Sequence, residues 1–323
     1  MKEILNDSLF KNKIISNKLL FIYLFKVLSI YIFLDFLASK LLANKKKLNW
    51  KNVRNDFELL VNKYKYLIKK EKNIEEDSPI WMMWYQGIEN APLIVQSCIK
   101  SVIKNRAKHP VYIISKYNLN KYIKLPKYII QKFHSGYIGI AHFSDIVRLA
   151  LLYKYGGYWI DATYFINRPL TKVNTTFFTI KLSHCWRKND PIINCLWSIN
   201  FMASTKNSFI STYSYMALIH YWKKYNRSIN YFLLDYIVLI AYNKIAKFKQ
   251  TILNLPNITC SIFSLNKLLN SIHIKNHTIC SFNKLKKTAK GVLFIGKKKT
   301  NYGYIVKKYK LDLKNENENI FIK

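Results

Sequence analysis

Three residues carry the types and spacing that chemistry would use. They are Asp145, Arg148 and Asp161, all inside the stretch Ala141 to Phe165, AHFSDIVRLALLYKYGGYWIDATYF. From Ala141 to Tyr155 the stretch reads as a near-uniformly apolar helix whose only charges before the last turn are Asp145 and Arg148. Their spacing puts them on one helix face. Taking charges out of water is expensive, so the pair either satisfies itself or faces a ligand cleft. Gly156 and Gly157 stop the helix, and Tyr158-Trp159-Ile160 reads as a short strand that delivers Asp161 at its carboxyl end, the edge where open α/β sheets bind ligands. A carboxylate there suits a hard cation, Mn²⁺ or Mg²⁺, able to bridge diphosphate oxygens and neutralise charge on a leaving group. Asp161 is therefore the first choice for a metal-linked residue.

The elements around this stretch must position it. Ile80–Tyr85 (IWMMWY) reads as a buried first strand, and Gly87, Asn90 and Pro92 mark the turn after it. Helical spacing follows from Leu93 to Asn105, a second strand from Val111 to Ser115, and a short helix from Lys127 to Phe133 after Pro126. This alternation predicts an α/β fold with a central mixed sheet flanked by helices, over residues 79–290. Residues 48–78 are highly charged and read as a helical connector. Residues 291–323 read as a basic polar tail that adds little to the core.

The most hydrophobic stretch, residues 19–34 (LLFIYLFKVLSIYIFL), is interrupted by Lys26 and followed by Asp35, Lys40 and Lys45. A clean spanning helix wants about 20 apolar residues. With Lys18, Lys26, Ser29 and Lys40 on one side, residues 1–47 fit a membrane-surface helix better than a span, the other reading being a helix packed on the domain. No small-residue cleavage site marks a signal peptide.

Lys and Arg number 53 against 17 Asp and Glu, a net charge of +36. Such an excess attracts phosphates, anionic lipid or nucleic acid, or it coats a solvated surface with lysines. The lysines come in scattered pairs without a helix-turn-helix, zinc spacing or aromatic RNA-binding motif, so a nucleic-acid partner is set aside. The five cysteines are odd in number and form no C-x-x-C pair. Read as small buried hydrophobes in a reducing compartment, they place the chain in the cytosol or on the cytosolic face of a membrane. Asp235, within the apolar run Tyr231 to Ile240, repeats the argument from buried charge, and is either a site residue or paired in the core. His142 is as well read as a capping or packing residue, and Trp81, Trp159, Trp186 and Trp197 as core aromatics.

The pattern A-H-F-S-D-x-x-R-x-x-x-L-x-x-x-G-G-x-W-I-D-A-T resembles the capsular polysaccharide synthesis protein family, relatives of glycosyltransferase family 32 and more distantly of the clostridial glucosylating toxins. The resemblance extends to Ile80–Gly87 (IWMMWYQG), Tyr231–Tyr236 (YFLLDY) and Thr278–Leu285 (TICSFNKL). It implies a GT-A-like nucleotide-sugar-binding fold. Carried over by position, it implies that Asp145 and Arg148 bind the donor sugar and ribose, that Trp84 stacks on a uracil-type base, and that Asp235 contacts acceptor or donor sugar. Asp161 matches the first Asp of a D-x-D-like metal motif whose third position here is Thr163, able to offer a hydroxyl or orient a metal-bound water without adding charge. Lys284 and Lys287 are candidates to close over the diphosphate.

The implied reaction is transfer of a hexose from a nucleoside diphosphate sugar, UDP-linked by the family's habit, to a capsular or other surface polysaccharide or its lipid-linked precursor. Retention of configuration is expected, on the cytoplasmic face of the bacterial inner membrane, peripheral or monotopic. Two alternatives stay open: a toxin-like protein glycosyltransferase, and a non-catalytic membrane-bound scaffold of a glycan assembly complex. Donor and acceptor specificity would lie in the loops between Asn167 and Phe232, which carry no legible code.

Overall fold

A computed structural model describes residues 48–182, 196–258, 261–273, 280–311 and 320–321. The expected membrane-surface helix of residues 1–47 and Trp186 lie outside them. Among the described residues, no helix is long and apolar enough to cross a membrane.

The centre is a six-stranded mixed sheet. Its strands are β1 (Ile80–Met83), β2 (Val111–Ile114), β3 (Gly157–Ile160), β5 (Phe177–Thr179), β6 (Phe201–Ser204) and β10 (Ile320–Phe321), in the order β10-β2-β1-β3-β6-β5. From β10 to β3 the pairing is parallel, with Ile80 opposite Val111 on one side and Tyr158 on the other. Beyond β3 the direction reverses, since β6 runs antiparallel to β3 and β5 antiparallel to β6. Every residue of β1 and β3 is buried, as expected of strands covered on both faces.

Alternation along β1 sends side chains to two different cores. Ile80 and Met82 join Val111, Ile113, Tyr158 and Ile160 under helix α2 (Leu93–Lys104), whose Val95, Cys98, Ile99 and Val102 are buried. Trp81 turns the other way, stacks on Tyr112 and meets Tyr122 and Tyr155. Tyr155 ends helix α4 (Ile140–Tyr155), which follows the short helix α3 (Lys127–His134) and packs on α5 (Phe209–Lys224). After α5 come α6 (Leu233–Lys244) and α7 (Ala246–Leu253). The mixed α/β architecture expected from the alternating elements is present, with boundaries within two residues of those expected for the first strand, its helix and the second strand.

The glycine pair does the work expected of it. Gly156 and Gly157 have φ of 71° and 93°, and a Cβ on Gly157 would lie 2.1 Å from the carbonyl oxygen of Pro79. Only glycine lets the chain leave α4 and enter β3 so close to the residue before β1. Trp81 Nε1 donates to the Gly156 carbonyl across this crossing at 2.9 Å.

Two expectations about the ends of the domain need correction. Helix α1 (Trp50–Tyr64) is not a free connector: Val53, Phe57 and Val61 are buried at helical spacing, and the helix packs on α5 and α6. Its charges, which suggested a solvated linker, line only the outer face, where Lys224 reaches Asp56 at 2.7 Å. Nor is the stretch after residue 291 foreign to the core. Helix α8 (Asn301–Lys308) contributes Ile305 and Val306, followed by Tyr309 and Leu311, and β10 extends the sheet beside β2. The lysines around these few apolar residues masked their period.

A third correction concerns cysteine: Cys280 is disulfide-bonded, while Cys98 is a free buried thiol. Linear spacing carries no information about which thiols meet in space, so the reading of five reduced cysteines fails there.

Candidate active site

Asp161 leaves the carboxyl end of β3, beside the point where the sheet changes from parallel to antiparallel pairing. Its backbone N–H donates to the Asn200 carbonyl at 3.0 Å, and its own carbonyl accepts from Tyr164 N–H at 2.9 Å, closing a tight turn through Ala162 and Thr163. The turn leads into β4 (Tyr164–Ile166), which pairs antiparallel with β7 (Phe282–Lys284) and sets Lys284 directly opposite Tyr164.

Four charged side chains meet here. Arg148, one turn beyond Asp145 on α4, places Nη1 at 3.2 Å from Asp145 Oδ1 and Nη2 at 3.1 Å from Asp161 Oδ1. Lys284 Nζ sits 2.5 Å from Asp161 Oδ2, and Trp159 Nε1 donates to Asp161 Oδ1 at 2.8 Å. Arg148 also lies over the Trp159 ring, 5.1 Å from its centroid. Two carboxylates and two cations balance, which is what makes their burial tolerable. Burial alone would raise the Asp161 carboxyl, but the charges of Lys284 and Arg148, with the hydrogen bonds from Lys284 and Trp159, outweigh it and hold Asp161 below the ordinary carboxylate range.

The pairing leaves donors over. Arg148 is 4% exposed, yet its Nε makes no hydrogen bond, and Nη1 is near enough to Asp145 for charge attraction but misaligned for a hydrogen bond. His142 Nδ1, buried 3.7 Å from Asp145 Oδ2, likewise has no hydrogen bond. Buried polar groups without partners are rare in finished cores and are expected where a ligand completes the set.

The remaining candidates fall at different distances from this centre. Trp84 stands just past β1, so it and Asp161 leave neighbouring strands at the same sheet edge; it is half-buried, and its buried Nε1 makes no hydrogen bond. Asp235 is buried in the first turn of α6 and accepts from Trp197 Nε1 at 3.2 Å. Thr163 enters through its backbone, its carbonyl accepting from Leu285 N–H at 2.9 Å. Lys287 is exposed, with no contact to the four charges among the described interactions.

Tyr231 was not anticipated as a site residue. Its ring is 70% exposed and approaches His142, and its phenol is raised above the ordinary tyrosine range by partial burial and then by the nearby carboxylates of Asp145, Asp161 and Asp235. Asn200 was missed too: it anchors Asp161 through its backbone and accepts from the Tyr164 hydroxyl at 2.7 Å. Asn200 had no sequence signal, being an asparagine in a loop, and Tyr231, though it opens the YFLLDY segment of the resemblance, is one tyrosine among 24 with no role of its own legible.

The Asp161–Thr163 turn was expected to hold a divalent cation. As they stand, these residues do not fit one held by the chain alone. The turn offers a single carboxylate, both of whose oxygens face cationic nitrogens, and no group of three or more His, Cys, Asp or Glu among the described residues is placed to hold a metal. A hard cation needs several oxygen ligands, and a lysine ammonium at hydrogen-bond distance competes for the same charge.

An O-glycosyltransferase, braB, from Annulohypoxylon truncatum is 27% identical over 128 residues, which span 36% of this chain and only 28% of that protein's length. The solved PaToxG glycosyltransferase superposes with a TM-score of 0.38 at 18% identity, covering 63% of this chain and 82% of the other. A family model described as capsular polysaccharide synthesis protein matches residues 30–304, which include every charged residue of the cluster. By that match over most of its length, the chain belongs to the capsular polysaccharide synthesis protein family.

Proposed function

We propose that this chain is a glycosyltransferase that moves a hexosyl unit from a nucleoside diphosphate sugar to the hydroxyl of a surface glycan or its lipid-linked precursor. The observation that carries the reading is the Asp145–Arg148–Asp161–Lys284 cluster at the sheet edge, its first two members buried and its last two half-buried, with guanidinium donors left open beside it. A diphosphate is the anion that would use such donors, and the family and the fungal relative both point to sugar chemistry.

In this reading the base stacks on Trp84, and Arg148 and Lys284 meet the diphosphate in place of a cation on Asp161 and Thr163. Asp145 and Asp161 then accept hydrogen bonds from donor hydroxyls. Positive charge beside the leaving phosphate counts most as the bond from the anomeric carbon to the phosphate oxygen breaks. The acceptor hydroxyl oxygen bonds the anomeric carbon, its proton passes to the departing phosphate oxygen, and attack from the same face retains configuration. In the same reading Asp235 and Tyr231 meet the acceptor, a role suggested for Tyr231 by its phenol sharing the field of Asp145, Asp161 and Asp235.

One observation favours a second reading, a sugar-binding scaffold without catalysis: the four charges already balance one another. Purified full-length chain offered a panel of nucleotide sugars separates the two. Release of free nucleoside diphosphate from at least one donor, abolished by Arg148→Lys, is expected. Tight nucleotide-sugar binding with no turnover on any donor or acceptor supports the scaffold, and absence of both binding and turnover sinks the donor-site reading altogether.

A further inference from the structure

A second surface is formed by residues that take no part in the charged cluster. After β7 the chain forms a short hairpin, β8 (Phe294–Ile295) and β9 (Lys298–Lys299), joined by the two-residue turn Gly296-Lys297. Four consecutive apolar side chains stand out on it: Val292, Leu293, Phe294 and Ile295 are 52%, 41%, 40% and 48% exposed. Scattered exposed apolar residues are ordinary, but an unbroken run at a hairpin tip is not.

The base of the hairpin is rigid. Thr300 caps α8, accepting from Gly303 N–H at 2.9 Å, and donates its hydroxyl to the Val292 carbonyl. Val292 N–H donates to Asn270 Oδ1 and His273 N–H to the Lys299 carbonyl. Gly303 has no room for a side chain, a Cβ there falling 2.1 Å from the Leu293 carbonyl oxygen. The apolar residues are thus held outward by a fixed pedestal.

Charge surrounds them on every side in sequence. From Lys286 to Leu311 there are nine lysines and no acid, and all nine are exposed. Lys307 Nζ lies 4.4 Å above the Phe294 ring, so the cationic rim begins at the edge of the apolar tip. An apolar wedge ringed by ammonium groups is complementary to one kind of partner: acyl chains under a layer of negative headgroups.

We infer that the Val292–Lys299 hairpin is a membrane-docking wedge that inserts its apolar tip into an anionic bilayer surface while the surrounding lysines pair with lipid headgroups. It is independent of anything contributed by residues 1–47, and it does not rest on the donor-site reading.

Because other parts of the chain can also bind vesicles, the test reads the hairpin itself. Amide hydrogen exchange of the full-length chain is followed for peptides covering residues 290–300, with vesicles of phosphatidylglycerol and phosphatidylcholine, with vesicles of phosphatidylcholine alone, and with single-stranded RNA. Exchange there is expected to slow about tenfold on the anionic vesicles only, and the protection is expected to vanish in the double variant Phe294→Asp, Ile295→Asp, whose exposed positions leave the melting temperature unchanged. Unprotected peptides on anionic vesicles, equal protection on neutral ones, protection by RNA but not by lipid, or protection that survives the double substitution would each overturn the assignment.

Discussion

Asp161 receives three side-chain donors, from Arg148, Trp159 and Lys284. Asp161→Asn keeps the shape and removes the charge, leaving Arg148 and Lys284 without their shared counter-ion. Donor turnover should fall at least a hundredfold, measured as nucleotide release, with the protein still folded. The pH dependence follows from the lowered carboxyl. A depressed folded value means the ionised form stabilises the fold at any pH above the ordinary carboxylate range, and that contribution is lost as pH falls through the folded value. The acid limb of a melting-temperature profile should therefore be shallower in Asp161→Asn than in the parent. Lys284→Ala addresses the metal directly. It frees Asp161 Oδ2, so nucleotide affinity measured in chelator should drop about tenfold to a hundredfold while added Mn²⁺ restores part of it; the parent should bind nucleotide equally with chelator or Mn²⁺. A parent that needs Mn²⁺ to bind nucleotide would show that Lys284 swings aside for a cation. Trp84→Ala should weaken free nucleotide and nucleotide sugar alike, by roughly 1–3 kcal/mol if the ring stacks on a base.

At the scale of elements, the helix, glycine pair and strand from Ile140 to Asp161 form one device. The sequence alone revealed it because its parts are local: apolar residues all round a helix, two charges a turn apart, a forced stop and a strand. What stayed hidden was contributed from a distance. Lys284 arrives 123 residues later through β-pairing, and no spacing rule connects it to Asp161. It was named as a diphosphate contact, yet its pairing with the carboxylate, and the consequence for a metal, could only be seen in three dimensions. The roles of Asn200 and Tyr231 were hidden for the same reason. The glycines make a sharp prediction for this device. Gly157→Ala forces a positive φ on alanine and drives its Cβ into the Pro79 carbonyl, so the crossing from α4 to β3 must distort. Both the melting temperature and turnover should fall, whereas Gly136→Ala, at φ 77° but with nothing near its Cβ, should cost only backbone strain, roughly 1–2 kcal/mol.

The molecule as a whole is built from a dense apolar interior under a cover of lysine, and that cover hides structural residues on both sides of the block from β1 to β7. A run such as Lys307-Lys308-Tyr309-Lys310 reads as solvated, because three of its four residues are lysine. In the fold, Tyr309 packs edge-on against Phe165 at 5.1 Å, one residue from the Tyr164 that faces Lys284, and Ile305 is fully buried beneath the same sheet face as Ile80 and Val111. The end of the chain therefore supports β4, and through β4 the site. Ile305→Ala should cost roughly 2–5 kcal/mol, the range for truncating a buried aliphatic side chain, and lower the melting temperature by several degrees. Lys307→Gln, exposed beside it, should stay within about 0.5 kcal/mol, as surface changes usually do. If residues beyond 300 were a dispensable basic tail, the two substitutions would melt alike. The same pair also tests the link to the site: loss of Ile305 should weaken nucleotide binding at a temperature where the protein is still folded, because the β4 edge that carries Tyr164 and meets Lys284 loses its backing before the sheet does.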